Sequence, residues 1–341
     1  MTQTVMDKPD PMTHPLQDRF GRRVTYVRIS ITDRCDFRCL YCMSEEMEFL
    51  PRPQILTLEE LYQVSRAFVE LGVDKIRITG GEPLVRKGAV GLMAQISQLP
   101  GLGEVVLTTN GSHLVQEAKH LKAAGVRRIN VSLDSLKPER FRQLTRVGDL
   151  AGVLAGIDTA LNQGFEKIKI NAVILRNRNH DEICDLVNYA IGKGIDISFI
   201  EEMPLGRVEG HDRAGEYCSS DEIRQRLEGV FELLPSMVST GGPARYYRVA
   251  GTGTRIGFIS PHSHNFCGTC NRVRVTAEGR LLLCLGNEHS VDLKAVLRTE
   301  ANGIEALKSA IVASMAIKPE RHHFDLKAEP MILRHMNATG G

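Results

Sequence analysis

Read for the alternation of apolar and polar positions, the first two-thirds of the chain repeats one rhythm. Short runs rich in Ile and Val predict strands at Thr25–Ile31, Asp74–Thr79, Glu104–Thr109, Arg127–Leu133, Lys167–Ile174 and Asp196–Glu201. Helical spacing fills the stretches between them. Thr57–Leu71 opens on the capping-box pair Thr57/Glu60 and stops at Gly72. His113–Ala124, Pro138–Gln163 and Asp181–Lys193 each run up to a glycine in the same way. Strand–helix units at this spacing predict parallel strands joined by right-handed crossovers. No G-x-G-x-x-G follows the first strand, and nearly every strand ends in a polar tail (Ser30–Arg34, Gly80–Pro83, Thr108–Gly111, Ser132–Ser135, Glu202–Pro204). Chemistry gathered at the carboxyl ends of many strands is a barrel trait. The expected fold is therefore α/β, a six-unit partial βα barrel of the TIM type.

Beyond about Leu205 the rhythm breaks. A helix near Ser220–Phe231 precedes antiparallel pieces at Arg245–Val249, Arg255–Ile259 and Val273–Leu285, then a long helical stretch from Asp292 to about Ala316. This predicts a smaller C-terminal α+β appendage. The expected division is a flexible arm over residues 1–19, a core over 20–205 and a C-terminal region over 206–341.

Composition narrows the classes. With 42% hydrophobic and 25% charged residues the chain reads as a globular protein, and a net charge of +2 argues against nucleic acid as partner. No stretch has the length of a membrane span, and the N-terminal residues lack the apolar core of a signal peptide. A reducing cytoplasm is the expected compartment. Six of the eight cysteines fall in two tight groups, leaving Cys184, expected as a buried structural thiol, and Cys218 apart. Grouped cysteines in such a chain point to metal.

The first group, Cys35, Cys39 and Cys42, has C-x3-C-x2-C spacing with no fourth ligand nearby. A four-iron cluster normally takes four cysteines, so three leave one iron open for chemistry. An incomplete zinc site and a redox pair with a spare thiol also fit the spacing. One unit later, Gly80-Gly81-Glu82-Pro83 ends a strand, where the glycines permit close backbone approach and Glu82 is able to accept from a ligand amine. The second group is Cys267, Cys270 and Cys284, again without an adjacent fourth cysteine. A zinc knuckle borrowing His262, His264 or His289 is the alternative. Arg272 and Arg274 alternate just after it, so both face one way and suit a polyanion such as a triphosphate.

The cysteine run with the double-glycine stretch resembles the radical S-adenosylmethionine superfamily. The second triplet narrows the resemblance to those members that cyclise GTP in the first step of molybdenum-cofactor biosynthesis. It extends from about Phe20 to the end, through Thr108-Thr109-Asn110-Gly111, Asn130–Asp134, Ile168–Asn171, Glu202–Leu205, Ile256–Pro261, Lys318–Arg321 and the closing Gly340-Gly341, which in the family reaches the active site. The resemblance implies a lyase with two [4Fe–4S] clusters, on Cys35/Cys39/Cys42 and on Cys267/Cys270/Cys284, the open iron of the second meeting the guanine. It implies that Tyr41, Gly81, Ser132 and Met203 contact S-adenosylmethionine. It gives GTP to Arg28, Arg77, Thr108, Lys169, Arg272, Val273 and Arg274. It further implies an external electron donor and a homodimer. Two positions depart from the family pattern: Asp36 stands where Asn is usual, and Ser44 where Pro is common. A peptide-modifying enzyme with an auxiliary cluster, or a non-catalytic iron–sulfur or zinc protein, are the rival readings.

Overall fold

The computed structural model describes residues 16–208, 210–300, 303–326 and 332–340. The first fifteen residues of the expected arm and the terminal Gly341 lie outside them. Twelve strands form one sheet in the order β12-β11-β10-β1-β2-β3-β4-β5-β6-β9-β8-β7. Six of them follow the sequence rhythm: β1 (Tyr26–Ser30), β2 (Lys75–Thr79), β3 (Glu104–Thr109), β4 (Val126–Ser132), β5 (Lys167–Val173) and β6 (Asp196–Ile200). These pair in parallel, each with the next.

The later strands are β7 (Leu233–Ser236), β8 (Arg245–Val249), β9 (Arg255–Ile259), β10 (Arg272–Val275), β11 (Arg280–Leu282) and β12 (Ser290–Asp292). They extend both edges of the same sheet. β9 joins β6 and β10 joins β1, both in parallel, while β7, β8, β11 and β12 complete antiparallel hairpins. The expected antiparallel pieces thus include two strands, β9 and β10, that flank the core in parallel. Residues far apart in sequence meet there: Arg272 stands beside Tyr26 and Arg274 beside Arg28.

Eleven helices are described: α1 (Leu58–Glu70), α2 (Ala89–Ser97), α3 (Leu114–Ala123), α4 (Pro138–Thr145), α5 (Leu150–Asn162), α6 (Ile183–Lys193), α7 (Arg213–Glu216), α8 (Ser220–Glu228), α9 (Leu293–Thr299), α10 (Gly303–Ser314) and α11 (Met336–Thr339). The capping box on α1 is present, with Thr57 and Glu60 bonding each other's backbone. Sequence periodicity overlooked α2, which begins at Gly88 without a side-chain cap. The helix expected over Pro138–Gln163 is two, because the chain turns through Arg146 at φ 65° and Asp149 caps a new start on the amides of Ala151 and Gly152.

Alternation separates the two faces of the sheet. One row runs Val273, Val27, Ile76, Val105 and the next Val275, Ile29, Ile78, Leu107, all buried in the core with Leu61, Val64 and Phe68 of α1. Burying each such side chain contributes about 1.5–3 kcal/mol. On β10, β1 and β2 the intervening residues Arg274, Arg28 and Arg77 point the other way and line a cavity on that face, with the apolar Val106 of β3 beside Arg77.

Candidate active site

The cavity is lined from the strands inward by Tyr26, Arg28, Lys75, Arg77, Ser132 and Lys169, and by Met203 just after β6. Arg272, Val273 and Arg274 close one side together with Cys267, Cys270 and Cys284. Tyr41 and Met336 also reach it. Of the residues expected at the site, Thr108 is drawn in through Arg77, whose Nη1 donates to the Thr108 hydroxyl at 3.0 Å. Gly81 and the first cysteine triplet are not part of the lining.

Gly81 has a visible local reason. Its N–H donates to the Thr32 carbonyl at 2.7 Å, and a Cβ there would run into the carbonyl groups of Asp33 and Arg34. The glycine lets the end of β2 press against the stem of the cysteine loop. Glu82 is fully buried, and its carboxylate accepts from the amides of Leu84 and Asn110 and the hydroxyl of Thr109. Those bonds make it a strut for the neighbouring strand end rather than an acceptor turned to a ligand amine. Burial, only partly offset by these bonds, pushes its carboxyl up to about 7.

Cys35, Cys39 and Cys42 sit on one loop after β1, fastened where Arg38 and Leu40 donate to the carbonyls of Thr145 and Leu144 at the end of α4. Burial raises all three thiols, and for Cys35 and Cys39 their mutual repulsion adds to it; Cys42 is pushed up to about 12. Such thiols ionise only for a strong Lewis acid. Tyr41 donates to Asp134 at 2.7 Å, and Asp134 in turn accepts from the Val173 amide at 2.8 Å, which fixes the phenol at the ends of β4 and β5. Asp36 accepts from Asn110 and Ser112, both at 2.7 Å, with His113 at 3.4 Å.

The second triplet is held by two buried cations to which the sequence reading gave no role. Lys318 donates to the carbonyls of Leu283 at 2.6 Å and Arg272 at 3.0 Å, and its Nζ lies 3.8 Å from the Cys270 sulfur. Arg22 donates to the Cys267 carbonyl at 2.8 Å and to Pro319 and Glu320. Burial opposes ionisation of Cys270, but Lys318 and Arg272, with Arg22, overcome it and pull the thiol down to about 7. Cys284 is raised by burial.

Two of the three histidines offered as zinc ligands have other partners. His262 bonds the Glu202 carbonyl and His264 bonds Asp221. Among the described residues no three His, Cys, Asp or Glu side chains gather around a single ion. Three cysteines supply three of the four ligands that a [4Fe–4S] cluster normally takes, each ligand on a different iron. Both triplets fit that donor set.

Cations dominate the cavity. Arg28 is lowered to about 10 and Lys75, Lys169 and Arg274 also fall, in each case mainly through burial. Glu104 bonds Lys75 at 3.0 Å, and Tyr246 accepts from Lys169 at 3.2 Å. Tyr26 and Lys75 were legible as candidates, since each stands two residues before an arginine of the site and so shares its face. The tail enters as well: Met336 donates to the Cys42 carbonyl, Asn337 to that of Asp33 at 2.9 Å, and Arg274 to the carbonyl of Gly340. No helix among the described residues is long and apolar enough to cross a membrane.

Residues 29–190 match the radical S-adenosylmethionine superfamily, and residues 195–324 match a family described as Molybdenum Cofactor Synthesis C. Streptococcus suis SuiB, solved with S-adenosylmethionine, is similar in fold: TM-score 0.62 at 16% identity, covering 84% of this chain and 68% of that one. The family match over residues 29–190, on a fold of the same kind, makes this a radical S-adenosylmethionine protein. The GTP 3′,8-cyclase of Saccharophagus degradans is 59% identical over 326 residues, covering 96% of this chain and 98% of that protein. That of Pseudomonas entomophila is 62% identical over 327 residues, with the same coverage. The chain belongs to the GTP 3′,8-cyclase family.

Proposed function

We propose that the chain cyclises GTP to (8S)-3′,8-cyclo-7,8-dihydroguanosine 5′-triphosphate, the first step of molybdenum-cofactor biosynthesis. The observation that carries the reading is the set of cations on the cavity face, Arg28, Arg77, Lys169, Arg272 and Arg274, beside the second cysteine triplet. Each charge-assisted bond to a phosphate is worth about 1.5–3 kcal/mol. Five converging cations suit a triphosphate far better than a peptide.

Cys35, Cys39 and Cys42 would hold a [4Fe–4S] cluster, and Cys267, Cys270 and Cys284 a second one facing the base. The first cluster, with S-adenosylmethionine bound, supplies one-electron cleavage and hydrogen abstraction at C3′ of the nucleotide. The chain's own part is positioning. Tyr41, oriented by Asp134, contacts the cofactor with Ser132 and Met203, while Gly81 shapes the wall behind the cysteine loop. Arg28, Arg77, Lys169 and the Arg272–Arg274 segment grip the triphosphate, and Thr108 steadies Arg77. Tail and sheet together enclose the space, which keeps water away from reactive species.

The six parallel strands β1–β6 in sequential order support a six-unit partial barrel with a smaller C-terminal α+β region after about residue 205. An external electron donor, a homodimer and a cytoplasmic setting complete the proposal. The test is anaerobic reconstitution with iron and sulfide, then reduction in the presence of S-adenosylmethionine and GTP. The cyclised nucleotide should form with 5′-deoxyadenosine. Equal cofactor cleavage without GTP, and no cyclic product, would overturn the assignment.

A further inference from the structure

On the cavity face, strands β10, β1 and β2 set six side chains in two rows. Arg272, Tyr26 and Lys75 stand side by side, and two residues along stand Arg274, Arg28 and Arg77. Adjacent strands lie about 4.8 Å apart. Five of the six positions are therefore cations in close array, and the middle of one row is a phenol. Like charges opposite one another on a sheet repel, and burial strengthens the repulsion.

Tyr26 is only 3% exposed. Arg77 Nε donates to its oxygen at 2.6 Å, and Lys75 Nζ lies 5.1 Å from its ring centroid. Arg28 attracts the phenolate from the next position but one on the same strand and Arg272 acts on it from the other strand, with Arg274 and Lys169 further out. The acidic groups nearby are engaged elsewhere, Glu104 with Lys75 and Arg128, and Tyr246 with Lys169. Arg272 also acts on Cys270. Within the two rows Tyr26 alone is able to become an anion.

We propose that Tyr26 is a built-in placeholder anion, its phenolic oxygen holding Arg77 and Arg28 where phosphate oxygens will sit and taking up a proton when a polyphosphate arrives. The inference rests on the polyphosphate part of the functional reading and adds a group to it. Burial alone raises the phenol, but the surrounding cations more than reverse this and bring it down to about 6. At neutral pH the empty site then holds a tyrosinate. Incoming phosphate charge takes over the arginines, the phenolate regains its affinity for a proton, and solvent supplies it. One O–H bond forms and nothing is oxidised.

The experiment uses the anaerobic holoprotein and tripolyphosphate as probe, with GTP in parallel. Calorimetry in buffers of different ionisation enthalpy counts the protons exchanged on binding. Wild type should take up about one more proton than Tyr26→Phe at neutral pH, and its ultraviolet tyrosinate band should fall as tripolyphosphate is added. Equal proton counts in the two proteins, or no tyrosinate band in the unliganded wild type, would overturn the placeholder. If Tyr26→Phe fails to fold, the wild-type band and its loss on titration decide alone. Cyclisation of GTP without a proton difference removes the placeholder and leaves the substrate reading. A proton difference with tripolyphosphate but no GTP turnover does the reverse.

Discussion

The ammonium of Lys318 lies 3.8 Å from the sulfur of Cys270, on a lysine only 1% exposed. Its other bonds go to carbonyls at either end of the β10–β11 hairpin, those of Arg272 and Leu283. One buried cation therefore ties together the backbone beside Cys270 and beside Cys284. Lysine so deep in a protein costs free energy unless fully bonded. Here the bonds are made to the frame of a cysteine triplet.

Lys318→Met keeps the length of the side chain and removes the charge. Two buried carbonyls lose their donor, at about 1–3 kcal/mol each. Stability in a denaturant titration should fall by about 2–6 kcal/mol, and bound iron should fall by the share belonging to the second triplet. The spectroscopic signature of S-adenosylmethionine binding at the first should remain. Full iron content with unchanged stability would show that Lys318 does not hold this hairpin.

Gly340 has φ 74°, and a Cβ at that position would collide with the side chain of Thr79 at the end of β2. Its carbonyl is also the acceptor for Arg274 at 3.1 Å. Gly340→Ala must therefore shift the tail and loosen Arg274. Turnover should drop at least roughly tenfold, a loss of about 1.4 kcal/mol in the transition state, with both cysteine triplets still loaded. Adding Thr79→Ala should recover part of the loss, because the two side chains clash with each other. Equal turnover in Gly340→Ala and wild type would remove the tail from the working site.

Sequence periodicity revealed the six core strands because each is an apolar run with one face in the core, and spacing alone picked out both cysteine triplets because their members stand close together along the chain. It was blind to pairing across distance. That β10 lies against β1 decides where Arg272 and Arg274 stand, yet nothing local in Arg272–Val275 names its partner strand. The roles of Lys318 and Arg22 were illegible for a related reason, since each cation bonds carbonyls that only the fold brings near, 245 residues away for Arg22 and 35 and 46 residues away for Lys318. Glu82 read as a ligand group because carboxylates at strand ends so often are. In the fold its oxygens are consumed by Thr109, Asn110 and Leu84. Tyr26 carried a signal, its two-residue offset from Arg28, that became informative only once the neighbouring strands were known.

Asp36 accepts from the Asn110 amide and the Ser112 hydroxyl, with its neighbour Cys35 sulfur 3.9 Å away. Asparagine is able to keep both contacts, since its oxygen accepts from Asn110 while its amide donates to the hydroxyl. Asp36→Asn thus changes charge with little change of shape. A negative charge beside a cluster makes it harder to reduce, so the variant should show a more positive potential for the first cluster in anaerobic potentiometry. The second cluster should not move. An unchanged first potential would mean that solvent screens the carboxylate.

The phenol of Tyr26 makes a pH prediction whose sign follows from its surroundings. Its ordinary value is near 10 and the cations hold it down to about 6 in the fold. The unfolded chain therefore binds a proton there at pH values where the native chain does not, and stability rises with pH through this window. The contribution is complete above pH 10, declines as pH falls toward 6, and is gone below 6. Between those limits the stability difference between wild type and Tyr26→Phe should change by up to about 1.4 kcal/mol per pH unit. The measurement is a series of denaturant titrations of both proteins in phosphate-free buffers. Added tripolyphosphate should flatten the slope, because the ligand returns the proton to the native state. Parallel pH profiles for the two proteins would show that Tyr26 keeps its proton among the arginines throughout.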